Sequence, residues 1–163
     1  MIEVKSAWSA IESHILSLVN QIKKSKKKYN WIVSLNRGGL IPGVRLSYVL
    51  GIKHAVLSLE SYTKRNSKVS MSVGGLSKIG EFKKKDRFLI VDDIADSGES
   101  LIRAMGEIVP STFLPIDTAT IHYKTKSLVK PSYFAEEVPN NVWVVYPWES
   151  LGETRKKKQD ARK

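Results

Sequence analysis

Three aspartates, two serines and a glycine lie within nine consecutive positions near the middle of the chain. They follow the apolar run 88–91 directly and are Asp92, Asp93, Asp96, Ser97, Gly98 and Ser100. The glycine and serines allow backbone N–H groups to face inward, and with the start of a helix they form a site for an anion such as phosphate. The carboxylates would repel phosphate, but they accept hydrogen bonds from sugar hydroxyls or hold a hard cation such as Mg²⁺. We therefore interpret the segment as a sugar-phosphate site, in preference to a solvated, side-chain-capped turn.

A second turn, at residues 36–39, has a composition suited to a diphosphate. It reads Asn36-Arg37-Gly38-Gly39 and follows the apolar segment 31–35. The paired glycines would bring backbone N–H groups close to an anion, and Arg37 offers fixed donors for it. Alone, the pair could equally be an ordinary strand-to-helix turn. Its place ahead of the acidic motif in the same chain favours a binding role.

The elements around these two segments predict an α/β fold. The run 88–91 is expected to be a strand buried on both faces, followed by a helix with an apolar face formed by Leu101, Ile102, Met105 and Ile108. An N-terminal helix is expected to have a face of Trp8, Ile11, Ile15, Leu18, Val19 and Ile22. Further strands are expected at 31–35, 54–59, 118–122 and 142–146. Alternating strands and helices favour a mainly parallel twisted sheet flanked by helices, and ligands bind such sheets at the carboxyl ends of the strands.

Length and composition fit one soluble domain. The chain has 163 residues and no cysteine, which excludes disulfides and thiolate metal sites and favours a reducing compartment. Neither a signal-like N-terminus nor an apolar run of membrane length is evident in the sequence. We therefore expect a cytoplasmic protein without a membrane partner.

The net charge of +11 is concentrated in two short segments. Five lysines between positions 23 and 28 contribute +5, and Arg155 to Lys163 contributes another +5, so the rest of the chain is only +1. Binding to nucleic acid is one reading of these charges. We favour solvated charge at a helix end and in a disordered tail, and expect nucleic acid not to be a partner.

The segment from Ile90 to Ser100 resembles the phosphoribosyl pyrophosphate (PRPP) motif of the type I phosphoribosyltransferases. That motif is a hydrophobic run, two acids and a Thr-Gly-x-Thr segment, in which this chain has Ser97 and Ser100 for the threonines and Glu99 at the variable position. The resemblance implies that Mg²⁺ is held by Asp93 and Asp92. It also implies that PRPP is bound by Asp92, Asp93, Ile94, Ala95, Asp96, Ser97, Gly98, Glu99 and Ser100.

The turn at 36–39 is similar to the pyrophosphate loop of the xanthine-guanine members of that family. The resemblance implies that Arg37 and Gly38 contact the diphosphate and that the Asn36–Arg37 peptide is cis. It also implies a flexible lid at about 61–78, in which Lys68 takes the place of an arginine that contacts pyrophosphate. The implied organisation is one domain over 1–154, with a small hood formed by its N- and C-terminal segments, and a basic tail at 155–163.

The C-terminal third resembles the family's base pocket. The resemblance implies that Lys124 recognises the purine O6, that Trp143 stacks on the base and that the backbone of Val144 reads its edge. Asp96 is implied as the catalytic base or hydrogen-bonding partner of the purine ring nitrogens. These features imply transfer of the phosphoribosyl group from PRPP to guanine, xanthine or hypoxanthine in a homodimer or homotetramer. A PRPP-sensing regulator that binds nucleic acid, and a transferase for another base, remain the alternatives.

Overall fold

The computed structural model of the chain describes residues 2–59, 73–74 and 82–149. Eight strands and three helices lie in this part of the chain. In order they are β1 (Ile2–Lys5), α1 (Trp8–Lys24), β2 (Trp31–Asn36), α2 (Leu40–Leu50), β3 (Lys53–Leu59), β4 (Val73–Gly74), β5 (Phe88–Ala95), α3 (Glu99–Ile108), β6 (Asp117–Tyr123), β7 (Tyr133–Glu137) and β8 (Val142–Val145). A 3-10 turn at Val109–Ser111 follows α3.

The main sheet has the strand order β4-β3-β2-β5-β6-β7. Strands β3, β2, β5, β6 and β7 are all parallel, and only the two-residue β4 is antiparallel to its neighbour β3. The predicted mainly parallel α/β sheet is thereby confirmed. Because β2, β5 and β6 are adjacent and parallel, the polar segments that follow them meet at one edge of the sheet.

Alternating residues of the central strand β5 pack into two separate apolar clusters. Leu89 and Val91 join a cluster that contains the buried face of α1, whereas Phe88 and Ile90 join one that contains the buried face of α3. Successive residues of a strand point to opposite faces, so α1 and α3 cover opposite faces of the sheet. All four of these β5 residues are fully buried, which explains the unbroken apolar run in the sequence.

The first and last strands form a separate parallel pair, β1 with β8, in the register Ile2↔Val142. This pair corresponds to the predicted hood of N- and C-terminal segments. Strand β1 was not foreseen: its sequence Ile-Glu-Val-Lys alternates apolar and polar residues, but it has only four residues and all of them are exposed. Strand β7 was not foreseen either, since the edge sequence Tyr133–Glu137 ends in two exposed acids.

Three expectations about individual side chains need correction. Ile102, expected on the buried apolar face of α3, is 43% exposed, whereas Leu101, Ala104 and Ile108 are buried. Trp8 begins α1 but is 53% exposed and lies beside Trp148, with ring centroids 5.9 Å apart, so it does not belong to the helix's buried face. Lys27 was expected to be a solvated charge, yet its ammonium group lies 2.8 Å from the carboxylate of Asp117. Periodicity along one helix shows neither where the covering segments end nor which partner the fold brings to a side chain.

The predicted tail 155–163 and, apart from Val73–Gly74, the predicted lid at about 61–78 lie outside the described residues. The organisation into a domain, a lid and a tail stays a prediction. Within residues 2–59, 73–74 and 82–149, no helix combines the length and the apolar character needed to cross a membrane.

Candidate active site

A cleft of about 890 Å³ opens at the carboxyl ends of β2 and β5. Its described lining is Asn36, Arg37, Gly38, Leu59, Asp92, Asp93, Trp143, Val145, Trp148 and Glu149. A smaller depression of about 220 Å³ lies next to it and is lined by Asp92, Asp93, Ile94, Asp96, Ser97, Gly98, Ser100 and Leu101. Both cavities share Asp92 and Asp93, so the fold brings the two loops singled out in the sequence to the same place.

The β2–α2 turn lies directly against the end of β5. A side chain at Gly38 would collide with the carboxylate of Asp93, and one at Gly39 would collide with the carbonyl oxygen of Val91. Arg37 is exposed beside Gly38 in the wall of the cleft, and the Asn36–Arg37 peptide is cis, as the family resemblance implied. The two glycines are therefore required by the close approach of the turn to the acidic strand end.

The loop between β5 and α3 is anchored by backbone contacts to residues 127–129. Gly98 has φ +83°, and a Cβ there would lie 2.5 Å from Ser127 Oγ and 2.9 Å from the amide nitrogen of Val129. The carbonyl of Ser97 accepts a hydrogen bond of 2.9 Å from the Leu128 N–H. Only glycine combines this backbone conformation with so small a volume. These contacts fix the backbone of the loop at the positive N-terminal end of α3.

The other residues predicted to bind PRPP have varied exposure. Ser97, Glu99 and Ser100 are exposed, Ile94 is half-buried and Ala95 is buried. The side chain of Glu99 faces solvent in the first turn of α3, where the helix dipole stabilises a negative charge. Lys68 lies outside the described residues.

Asp92 and Asp93 are held in an environment that opposes their ionisation. Burial and the neighbouring charge of Asp93 raise the pKa of Asp92 well above its usual value. Burial, reinforced by the charge of Glu149, raises the pKa of Asp93 to about 7. Carboxylates in such a site are stabilised by a cation, and an all-oxygen donor set suits a hard ion such as Mg²⁺. These residues therefore fit a magnesium ion.

Tyr146 donates hydrogen bonds to two of the acidic residues that line the cleft. Its hydroxyl donates a hydrogen bond of 3.0 Å to the carbonyl of Asp93, and its amide donates one of 3.1 Å to a carboxylate oxygen of Glu149. Its ring stacks on Trp148, with centroids 4.6 Å apart and an interplanar angle of 6°. Burial and the charge of Asp93 raise the pKa of Tyr146, which keeps the phenol protonated as a donor.

Asp96 lies between two lysines that follow the adjacent strand β6. One of its carboxylate oxygens is 3.0 Å from Lys124 Nζ and 2.7 Å from Lys126 Nζ. Burial opposes ionisation of Asp96, but hydrogen bonds from Lys126 and Lys124 outweigh it and hold the pKa below its usual value. Lys124 is only 2% exposed, so this buried ammonium group is compensated by Asp96. The arrangement pairs one carboxylate oxygen with two ammonium groups beside the smaller cavity, which Asp96 itself lines.

Two of the predicted base-binding residues lie on β8. Trp143 is 49% exposed in the wall of the larger cavity, whereas Val144 is buried. The sequence reasoning did not include Trp148, Glu149 or Lys126 among the site residues. Trp148 and Glu149 lie in the turn after β8, and Lys126 lies beyond the end of β6, where nothing in the sequence indicated contact with Asp96.

Comparison with known proteins agrees with this geometry. The model of the phosphoribosyl transferase domain family matches residues 6–150. A purine phosphoribosyltransferase from Pyrococcus horikoshii Ot3 has a TM-score of 0.78 at 30% identity, covering 91% of this chain and 94% of its own. The xanthine-guanine-hypoxanthine phosphoribosyltransferase of Helicobacter pylori has a TM-score of 0.74 at 22% identity, covering 95% and 99%. A hypothetical protein from Neisseria gonorrhoeae, solved with bound ppGpp, has a TM-score of 0.78 at 22% identity, covering 99% and 98%.

A parallel sheet with an acidic cleft at its carboxyl edge is typical of α/β proteins that bind ligands at the strand ends, and the family match identifies the class. The chain belongs to the phosphoribosyl transferase family. It is a phosphoribosyltransferase with the fold of the purine enzymes.

Proposed function

We propose that this phosphoribosyltransferase transfers the 5-phosphoribosyl group from PRPP to a 6-oxopurine (guanine, xanthine or hypoxanthine) and releases pyrophosphate. The observation that carries the proposal is the carboxylate of Asp96 between the ammonium groups of Lys124 and Lys126, at 3.0 and 2.7 Å. This group of three side chains borders the glycine loop at the start of α3. A base bound there would lie next to the sugar phosphate.

PRPP would extend across both cavities. Its 5′-phosphate fits the smaller one, where the loop from Asp96 to Ser100 and the N-terminal end of α3 favour an anion. Its diphosphate fits beside Arg37 and Gly38 in the larger one. Enzymes of this family generally use Mg²⁺ with PRPP, and an ion held by Asp93 and Asp92 would offset the negative charge of the departing pyrophosphate. Asp92 and Asp93 would also accept hydrogen bonds from the ribose hydroxyls.

The charges around Asp96 favour a 6-oxo group over the amino group of adenine. Ammonium groups only donate hydrogen bonds, so Lys124 and Lys126 would pair with a purine O6 and would repel the N–H donors of adenine. The lowered pKa keeps Asp96 ionised at neutral pH, so it can accept a hydrogen bond from a ring N–H of the base. The exposed indole of Trp143 offers a surface for stacking.

The reaction exchanges one bond at C1 of the ribose for another. The bond from C1 to the pyrophosphate oxygen breaks, a bond from C1 to a purine ring nitrogen forms, and the proton on that nitrogen passes toward Asp96. The protein contributes mainly by positioning the two reactants and by placing charge where it develops. Asp96 would accordingly affect turnover more than binding of PRPP.

The test is an assay of the purified protein with PRPP, Mg²⁺ and each of hypoxanthine, guanine, xanthine and adenine, with nucleotides separated by chromatography. We expect nucleoside monophosphate from at least one 6-oxopurine and little from adenine. The Asp96→Asn variant should lose on the order of 100-fold in kcat with a smaller change in KM for PRPP. Glu107→Gln, an exposed carboxylate near the end of α3, is the matched control and should keep full activity.

Absence of product with all three 6-oxopurines would overturn the proposal. Binding of PRPP without turnover of any base would instead favour a regulator, and product from a pyrimidine would favour a transferase for another base. The cytoplasmic location, the dimeric or tetrameric assembly and the lack of a nucleic-acid partner stay predictions.

A further inference from the structure

Two histidines and a glutamate converge at a second place in the molecule, between α1 and the edge of the main sheet. His14 lies on α1, and His122 and Glu136 are register partners on the adjacent strands β6 and β7. Glu136 Oε2 is 3.2 Å from His14 Nε2 and 3.5 Å from His122 Nε2, and all three atoms lie within 4.8 Å of one another. None of the three residues lines either cavity of the candidate active site.

The hydrogen bonds of Tyr146 determine which nitrogen of neutral His122 carries the proton. The Tyr146 hydroxyl donates its one hydrogen to the carbonyl of Asp93, which can only accept. The contact of 2.8 Å between His122 Nδ1 and the same hydroxyl must then be donated by the histidine. His122 Nε2 therefore turns a lone pair toward the carboxylate of Glu136.

An ordinary ion pair leaves part of this cluster unexplained. A hydrogen bond from His14 to Glu136 accounts for the contact of 3.2 Å. It leaves the His122 lone pair facing a carboxylate oxygen at 3.5 Å, with His122 only 3% exposed. Protonating His122 as well would place two cationic rings at a centroid distance of 5.1 Å. A metal cation among the three atoms would instead satisfy every one of them.

We propose that His14, His122 and Glu136 form a binding site for one Zn²⁺ ion, separate from the magnesium site of the cleft. Zinc bonds of about 2.0–2.2 Å in a tetrahedron imply ligand-to-ligand distances of about 3.3 Å, close to the two distances to Glu136. Two imidazoles and a carboxylate suit zinc, whereas Mg²⁺ prefers an all-oxygen set. The His122–Tyr146 hydrogen bond is the kind of outer contact that orients a metal-binding histidine. Glu136, with a side chain 52% exposed, leaves the site open to entry from solvent.

The test is calorimetric titration of EDTA-treated, dialysed protein with ZnCl₂, in a buffer that contains Mg²⁺ in large excess. We expect one zinc ion per chain. Glu136→Gln and His14→Gln should each weaken zinc affinity by at least about tenfold, since each removes one of three protein ligands. Glu137→Gln, the exposed neighbouring carboxylate on β7, is the matched control and should bind as the unmodified protein does. Co²⁺ should give visible absorption bands that His14→Gln abolishes.

Two results would overturn the proposal. One is the absence of zinc binding in the presence of Mg²⁺. The other is an affinity that is unchanged in Glu136→Gln and His14→Gln but lost in Asp93→Asn, because it would locate the zinc in the cleft. Neither readout depends on enzymatic activity, so the outcome is independent of the function proposed above.

Discussion

Replacing Tyr146 with phenylalanine removes a single oxygen that holds the acidic strand end in place. The hydroxyl makes two hydrogen bonds, to the carbonyl of Asp93 at 3.0 Å and with His122 Nδ1 at 2.8 Å. The residue is 2% exposed, so water cannot replace the lost partner without a change in packing. Phenylalanine keeps the ring that stacks on Trp148, and the variant therefore isolates the effect of the hydroxyl.

The size of the effect follows from the groups left without a partner. An ordinary hydrogen bond contributes about 1 kcal/mol net, and an unpaired buried polar group costs about 1–3 kcal/mol. Two bonds to buried groups give an expected loss of about 2–3 kcal/mol in the free energy of unfolding. For a chain of this size each kcal/mol shifts Tm by about 2–4 °C, so Tm should fall by roughly 4–12 °C. A less fixed Asp93 should also raise KM for PRPP more than it lowers kcat.

Urea unfolding in the presence of EDTA measures the loss without a contribution from bound metal. Tyr48→Phe is the matched control, because Tyr48 is 84% exposed and its hydroxyl should contribute less than about 0.5 kcal/mol. A loss in Tyr146→Phe no larger than in this control would refute the role assigned to the hydroxyl. Unchanged steady-state kinetics would refute its role in positioning Asp93.

Three further predictions concern backbone conformation and charge. Gly98→Ala should lower the free energy of unfolding by about 1–3 kcal/mol and raise KM for PRPP, because φ is +83° at this position. Gly106→Ala, which has open space around it on α3, is the control and should be neutral or stabilising in the same urea unfolding measurement. Burial raises the pKa of Asp93 to about 7, so in metal-free protein this residue should lower stability as pH rises from about 4 to 7. Asp93→Asn should show a smaller loss in unfolding measured across this range, with Asp92 contributing the remainder. Burial opposes ionisation of Asp117, but hydrogen bonds from Lys27 and Tyr29 outweigh it and lower the pKa of Asp117. The ionised carboxylate should therefore contribute its full stabilisation of the fold above about pH 4, and this contribution should decline at lower pH. Asp117→Asn should lower the free energy of unfolding by about 1.5–3 kcal/mol at pH 7. The stability of this variant should also fall less at low pH than that of the unmodified protein in the same measurement.

The parts of the site that sequence reasoning could predict are those in which strand, loop and helix are contiguous. The apolar run 88–91 predicts a strand, the acids and Gly98 after it predict a loop, and the spaced apolar residues from Leu101 predict a helix. The structure shows β5, the loop and α3 in that order. The same holds for β2, the turn at 36–39 and α2. Local patterns determine such units because buried strands and helix starts each have their own composition.

The parts that could not be predicted depend on contacts between distant segments. Lys126 reaches Asp96 because β5 and β6 are adjacent, and Glu149 reaches the cleft because the chain turns after β8. Strand β1 has only four residues, all exposed, and is defined by its pairing with β8. Such pairings follow from the packing of the whole sheet, which no short stretch of sequence encodes. The roles assigned to the predicted site residues stay predictions until variants are measured.

The electrostatics of the cleft explain why so much of the structure supports one strand end. Asp92, Asp93 and Glu149 repel one another in a partly buried site, so holding them together costs stability unless a cation is present. Gly38 leaves room for the Asp93 carboxylate, and Tyr146 fixes both the Asp93 carbonyl and the Glu149 carboxylate. Residues that only hold the acids should therefore alter PRPP affinity without altering the chemical step, whereas Asp96, which we propose to contact the base, should alter turnover. The contrast between Tyr146→Phe and Asp96→Asn in KM and kcat tests whether positioning and catalysis are divided between these two residues.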